Sequence, residues 1–331
     1  MTKPRQRSAL FYLIISLLLV GSLVIFVVGC PGPERRLADQ GNRRNDGSLL
    51  ERYREEPTVT IELKNGETKE VKLEEYVAGV VAGEMKADWP LEAYKAQAIL
   101  ARSYAMQLLT EDATKPATGK ISASHTEAQA YRPENISETI RKAVNETRGQ
   151  VITYKDKFVK AYFHAATGGK TAKAEDMGLV EKGQEPPYLK QVTSPEDKAP
   201  AEVKSWQASV PLATFEKVAR ETGAEISGLK GVSIGKKDNG GRAVTLRLTH
   251  AKGTTEVNAN ALRVGIDPQL IKSTMFTKIG VQGNNVVMEG KGFGHGVGMS
   301  QWGAYTMAKD GKSAEEIIKF YFKDIKLVDL W

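Results

Sequence analysis

Leu73, Val77, Val80 and Val81 form an apolar stripe at helical spacing, and one further turn carries the stripe to Glu84. Eleven residues separate Glu84 from Leu73, close to three full turns, so the carboxylate emerges on the Leu73 face. A carboxylate on the buried side of a helix is costly to ionise, and its pKa rises. That is the property a general acid needs near neutral pH. A helix-end glutamate that swings out into solvent fits the same spacing.

The residues that follow offer partners. Tyr94, Ala98, Ala101, Ala105 and Leu108 or Leu109 trace the packed face of a second helix, with Arg102 and Tyr104 flanking it. Either flanking side chain is placed to approach Glu84 or a ligand, and a structural salt bridge is the other role open to Arg102. Lys95 stands three residues after Glu92, the spacing of a surface ion pair.

Far along the chain, Gly292–Ala304 (GFGHGVGMSQWGA) holds five glycines in thirteen residues. Such a loop lets backbone approach a ligand and can turn N–H groups inward, or it serves packing alone. His295 within it is a candidate to bind substrate or to orient a neighbour. The spacing is not that of a dinucleotide fingerprint. Phe163–Thr171 (FHAATGGKT) has His164 where a phosphate loop needs glycine. His125, His164, His250 and His295 are widely separated, no His-Glu-x-x-His helix occurs, and no metal site is expected. There is also no Gly-x-Ser-x-Gly nucleophile elbow.

These side chains need elements to hold them. Asn65-Gly66 between alternating segments predicts a hairpin of Thr58–Leu63 with Glu67–Leu73. Helices follow over about Leu73–Met85 and Leu91–Thr110, the second opened by Asp88 as cap and Pro90 in its first turn. Gln150–Tyr154 and Phe158–His164 read as another hairpin, and 168–200 as irregular. Strands are expected at Ala243–Thr249, Thr254–Asn258, Met275–Val281 and Val286–Glu289, with closing helices near Ser300–Lys309 and Ser313–Phe322. Strands and helices cluster without regular alternation, which predicts an α+β fold of mixed helices and short antiparallel strands.

The chain has 331 residues, 41% hydrophobic and 26% charged, which is ordinary for a folded protein. Its net charge of +7 suits an anionic partner, whether nucleic acid, lipid or wall polymer. Ala9–Gly29 carries no charge and is long enough to span a bilayer, with Lys3, Arg5 and Arg7 before it. Val27–Cys30 also resembles a lipoprotein cleavage box, and Cys30 is the only cysteine. Either reading puts the rest of the chain outside the cytoplasm, without an internal disulfide framework. The expected organisation is therefore a cytoplasmic tail at 1–8, an anchor at 9–29, a flexible linker at 30–57 and one large domain at 58–331. No basic-aromatic stripe for nucleic acid is visible.

Val81–Met85 (VAGEM) followed by Pro90–Tyr104 (PLEAYKAQAILARSY) resembles the hallmark of the stage II sporulation protein D family. Phe163–Gly169, Glu185–Glu196 (EPPYLKQVTSPE) and the Gly292–Ala304 loop match it in the same order. The resemblance implies a membrane-anchored lytic transglycosylase that cleaves peptidoglycan glycan strands stripped of stem peptides during endospore engulfment, with no cofactor. It implies Glu84 as catalytic acid/base, and Lys95, Arg102, Tyr104, His164, His295, Ser300 and Gln301 as substrate-binding positions. The implied companions are a sporulation P-type amidase and an M-type membrane protein, at the mother-cell membrane facing the septal wall. An internal attack by the sugar's own hydroxyl needs no second carboxylate, whereas hydrolysis would need one, with Asp88 or Glu92 nearest in sequence. Some relatives hold zinc near the stretch matching Ser124–Tyr131; here His125 stands without a cysteine, and no zinc is expected. Relatives named amidase enhancers raise the alternative of a wall-binding module that recruits or stimulates an amidase.

Overall fold

Helix formation around Glu84 follows from a segment that is apolar on nearly every side. The computed structural model describes residues 52–62, 66–110, 120–122 and 129–331. Within them α1 spans Leu73–Glu84 and α2 spans Leu91–Thr110. Tyr76, Ala78, Gly79 and Ala82 are buried as well as the stripe of Leu73, Val77, Val80 and Val81, so α1 runs through the core. Glu74 and Glu75 in its first turn suit the positive end of the helix. Asp88 adopts a left-handed backbone (φ 62°) and is exposed, while the Pro90 carbonyl accepts from the N–H groups of Ala93 and Tyr94. Asp88 is thus the turn before α2, not its cap.

Strands β1 (Thr58–Glu62) and β2 (Thr68–Lys72) pair antiparallel, with Thr58 opposite Lys72 and Glu62 opposite Thr68. Strand β3 (Lys120–Ser122) adds to β1 in parallel. Order begins before Thr58. The Glu56 carboxylate accepts from the Glu74 N–H at 2.9 Å and pairs with Arg148 at 2.7 Å, so the end of the predicted linker docks on the start of α1. Helix α3 (Glu138–Glu146) is capped by the Ser137 side chain.

The predicted second hairpin divides. Strand β4 (Gln150–Tyr154) pairs with β5 (Lys157–Phe158) and with β14 (Lys326–Asp329) near the C-terminus. Strand β6 (Phe163–His164) instead pairs in parallel with β13 (Met299–Ser300). The break falls at Val159 and Ala161, both fully buried, where the chain leaves the sheet for the interior. Residues 168–200 hold only turns and isolated bridges. Short α4 (Ala201–Lys204), β7 (Trp206–Pro211), α5 (Leu212–Glu221), β8 (Gly231–Ile234), β9 (Thr245–His250), β10 (Gly253–Asn258) and α6 (Ala259–Ile266) follow. Strands β11 (Phe276–Gln282) and β12 (Asn285–Gly290) complete the β11-β12-β7 sheet, beside a β10-β9-β8 sheet. Helices α7 (Gln301–Lys309) and α8 (Ala314–Tyr321) come last, α8 with a Ser313/Glu316 capping box.

The architecture is α+β, and the β1–β3 and β6–β13 pairs are parallel where only antiparallel pairs were expected. One hydrophobic core gathers α1, α2, β1, β4, α7 and α8; a second lies between Trp206 and Met288. Among the described residues no helix is long and apolar enough to cross a membrane. The predicted anchor at 9–29, Cys30, most of the predicted linker and His125 lie outside the described residues.

One buried ion pair ties the first core together. Arg102 is fully buried and donates from Nε and Nη2 to Glu74, at 3.1 and 2.6 Å, and from Nη1 to the Gln150 carbonyl at 2.8 Å. Breaking such a pair leaves an uncompensated buried charge, at a cost of about 3–5 kcal/mol. Arg102→Met is therefore expected to lower stability by about that amount in urea unfolding, and Arg102→Lys, which cannot reproduce the fork, to lose much of it too.

Candidate active site

Glu84 is the last residue of α1, and a chain crossing sets its surroundings. Residues 129–132 pass over the helix at Gly79 and Gly83, where the Gly79 carbonyl accepts from the Arg132 N–H at 2.9 Å. A Cβ on Gly83 would lie 2.6 Å from the Ala130 carbonyl oxygen, so a side chain there would push the crossing segment away. The crossing delivers the Ala130 N–H to Glu84 Oε1 at 2.7 Å. Tyr76, one face further in, stacks on Tyr131 at 5.8 Å and donates to Gln129.

Burial pushes the Glu84 carboxyl up to about 6, against the opposing pull of the Ala130 N–H. Its place at a helix C-terminus acts in the same direction, since that end carries partial negative charge. Glu84 thus holds a proton over much of the mildly acid range.

The carboxyl opens into a cleft of about 200 Å³ lined by Glu84, Lys86, Trp89, Ala165, Glu202, Val203, Lys272, Phe293, Gln301 and Trp302. Trp89 packs on Trp302 at 4.7 Å between ring centres and on Tyr305 at 5.1 Å. Lys86 pairs with Glu202 at 3.5 Å across the rim. Glu202 is held below the usual carboxylate range, chiefly by its own backbone N–H at the start of α4 and then by Lys86. Two carboxylates of opposite tendency therefore share one cleft, one inside that keeps its proton up to about pH 6 and one at the rim held toward the ionised form.

Of the residues singled out by sequence, Glu84 and Gln301 line this cleft. Gln301 donates from Nε2 to Gln97 of α2 at 3.3 Å, which fixes α7 against α2. Ser300 caps α7 by accepting from the Gly303 N–H, and its hydroxyl donates to Glu196 at 2.5 Å. Glu196 also accepts from the N–H groups of Thr167 and Gly168, so it clasps the Phe163–Gly169 stretch to the glycine-rich loop.

Within that loop Gly298 has φ 73°, and a Cβ there would lie 2.0 Å from the Tyr162 carbonyl oxygen. The N–H groups of Gly292, Phe293 and Gly294 are taken by Val203, Ala166 and Lys272 carbonyls. These three face protein and are not turned toward a ligand. His164 and His295 brace the same loop from two sides of Val297. His164 Nδ1 is 3.0 Å from its carbonyl, and the Val297 N–H donates to His295 Nδ1 at 3.0 Å. Burial, aided by Arg263 and Arg242, drives His295 down to about 3, and burial lowers His164 as well, so both rings are neutral.

The remaining positions serve the frame. Arg102 reaches Glu74, not Glu84. Lys95 bridges Glu92 at 2.8 Å and Glu146 at 2.5 Å, tying α2 to α3. Glu92 also accepts from the Ala314 N–H at the start of α8, so it is committed away from the cleft. Tyr104 sits edge-on to Tyr162 at 6.4 Å. Among the described residues no group of three His, Cys, Asp or Glu side chains could hold a metal.

Sequence reasoning missed Lys86, Trp89, Glu202, Lys272, Phe293 and Trp302 as cleft residues. Lys86 and Trp89 stood within five residues of Glu84, and Trp302 within the glycine-rich run; these were available signals. Nothing local marks Glu202 or Lys272, which arrive from the segments around the second core.

Comparison with known proteins supplies the affiliation. Residues 63–154 match the family model described as stage II sporulation protein, and 197–298 match a domain of unknown function. The chain is 31% identical over 277 residues to stage II sporulation protein D of Bacillus subtilis, covering 80% of this chain and 76% of that one. It is 33% identical over 261 residues to an uncharacterized protein of Brachyspira hyodysenteriae, covering 78% and 67%. It is 27% identical over 288 residues to an amidase enhancer of Bacillus subtilis, spanning 39% of that longer protein. With the family model matched over 63–154 and 31% identity to the Bacillus subtilis protein over most of both chains, the chain belongs to the stage II sporulation protein D family.

Proposed function

We propose that this protein is a lytic transglycosylase that cleaves peptidoglycan glycan strands, with Glu84 as its single acid/base. The observation that carries the reading is a carboxyl raised to about 6, inside a cleft walled by Trp89 and Trp302. The Glu84 carboxyl gives its proton to the glycosidic oxygen as the C1–O bond breaks and the ring takes on oxocarbenium character. The carboxylate so formed accepts the proton of the same sugar's 6-hydroxyl, whose oxygen bonds to C1. The products are an anhydro-ended strand and a new free hydroxyl end, and Glu84 is protonated again. No water enters, so no second carboxylate is required.

The aromatic wall suits the apolar faces of sugar rings, and Lys86 and Lys272 at the rim suit the free carboxylates of strands without stem peptides. The apolar run 9–29 supports a single-pass anchor with this domain outside the cytoplasm. We place it by family resemblance at the mother-cell membrane, beside a P-type amidase and an M-type membrane protein. The amidase enhancer relative favours a second reading, a wall-binding module that stimulates an amidase.

The deciding experiment incubates full-length protein and Glu84→Gln with amidase-treated peptidoglycan and identifies released sugars by mass spectrometry. Anhydro-ended fragments are expected from the parent, with a rate loss of roughly 100-fold or more in the variant. Reducing ends without the anhydro form would mean hydrolysis, with Glu202 the carboxylate to test next. No cleavage by either protein, with amidase stimulation intact, would leave the recruitment module.

Two pH effects follow from the raised Glu84. The acid form is the working form, so kcat/KM for cleavage should fall about tenfold per unit as pH rises past about 6. The folded-state value also lies above the unfolded one, so the stability associated with this group is full at low pH and lost as pH rises through about 6. Glu84→Gln, which stays neutral, should therefore raise stability by about 1–2 kcal/mol at pH 8 and change it little at pH 4, measured by thermal unfolding.

A further inference from the structure

The Glu84 cleft holds about 200 Å³, less than the ~300–1,000 Å³ of pockets that enclose a drug-sized ligand. A polymer cut there must rest most of its bound units outside that volume. The surface that continues the cleft is the outer side of α7. Trp302 lines the cleft, and Tyr305 follows one turn along the same helix face. Both rings are half-buried, lie 5.1 Å apart, and rest on Trp89, which is buried beneath them. Rings fixed from below in this way keep a contact face at little entropic cost.

Lysines mark both ends of the strip. Lys86 Nζ stands 5.5 Å from the Trp302 ring, and Lys309 Nζ 5.6 Å from the Tyr305 ring. Lys309 is exposed, one turn beyond Tyr305. Of the acids beside these lysines, Asp310 is taken up by Lys198 at 2.8 Å, and Glu202 pairs with Lys86 at 3.5 Å. The surface therefore presents flat apolar faces edged by cations, the complement of a sugar chain that carries carboxylates.

We propose that Trp302 and Tyr305, flanked by Lys86 and Lys309, form a second subsite that continues the Glu84 cleft along α7. It takes further sugars of a carboxylate-bearing glycan strand. The assignment rests on the glycan reading of the cleft. It makes the strand's affinity depend on its length, and ties part of that affinity to its charge.

The test uses full-length protein carrying Glu84→Gln, so that strands are bound and not cut. Calorimetry measures short and long peptide-free peptidoglycan strands, and long strands whose lactyl carboxylates have been converted to neutral amides. The parent should bind long strands more tightly than short ones. Tyr305→Ala should weaken long-strand binding roughly tenfold, flattening the length dependence, while Tyr305→Phe, which keeps the ring, restores it. Lys309→Gln should weaken long acidic strands by about two- to fivefold and leave the amidated strands unaffected. Length dependence unchanged in both Tyr305→Ala and Lys309→Gln, with the parent binding glycan normally, would overturn the subsite and leave the cleft reading intact. Failure of the parent to bind any strand would overturn both.

Discussion

Everything in the first core is registered on the Glu74 carboxylate. It receives four donors: two from Arg102, the Gly149 N–H at 3.0 Å and the Trp331 indole at 3.0 Å. Those donors come from α2, from the start of β4 and from the last residue of the chain. A buried charge pair gains nothing unless its remaining hydrogen-bonding capacity is also met, and here Gln150 takes the free arm of the guanidinium. The pair fixes the roll of α1 about its axis. Glu84 lies about 15 Å further along at 1.5 Å per residue, and the same roll turns it toward the crossing segment and the cleft.

Three carboxylates in this protein show how donor number decides a role. Glu74 has four donors and joins chain segments. Glu196 has three, from Thr167, Gly168 and Ser300, and clasps the two stretches that form the cleft's far wall. Among the described residues Glu84 receives the Ala130 N–H alone, and for it burial is the larger effect. The glycines at 83 and 298 belong to the same logic. Each admits a backbone carbonyl where a methyl group would not fit, and so brings together segments that the sequence keeps far apart.

What was legible in the sequence was what periodicity and capping encode. The strand pair at Thr58–Lys72, the two helices and the closing helices stand near their expected bounds because each is determined within its own span. The local alternation of Phe158–His164 predicts one hairpin arm; Phe158 does pair with Thr153, whereas Phe163–His164 pair with Met299–Ser300, over 130 residues away. The helix stripe marked Glu84 as a carboxyl on the buried face, and burial is what raises its pKa in the fold. Arg102 and Lys95 carried no such signal, since one buried partner at Glu74 and two acids at Glu92 and Glu146 engage them elsewhere. Glu202 and Lys272 entered the cleft only through the fold of the second core, which no window of sequence contains.

The surroundings of Glu84 also bear on how a proton is kept there. Burial is the larger effect and the Ala130 N–H opposes it. Sugars seated in the cleft displace water from around the carboxyl and so add to that burial. This change favours the protonated acid. Linkage makes the effect reciprocal: whatever raises the Glu84 pKa on binding makes the protonated protein bind the strand more tightly. On the proposed reading, Glu84 is therefore most firmly protonated once the strand is seated, which is when its proton is needed.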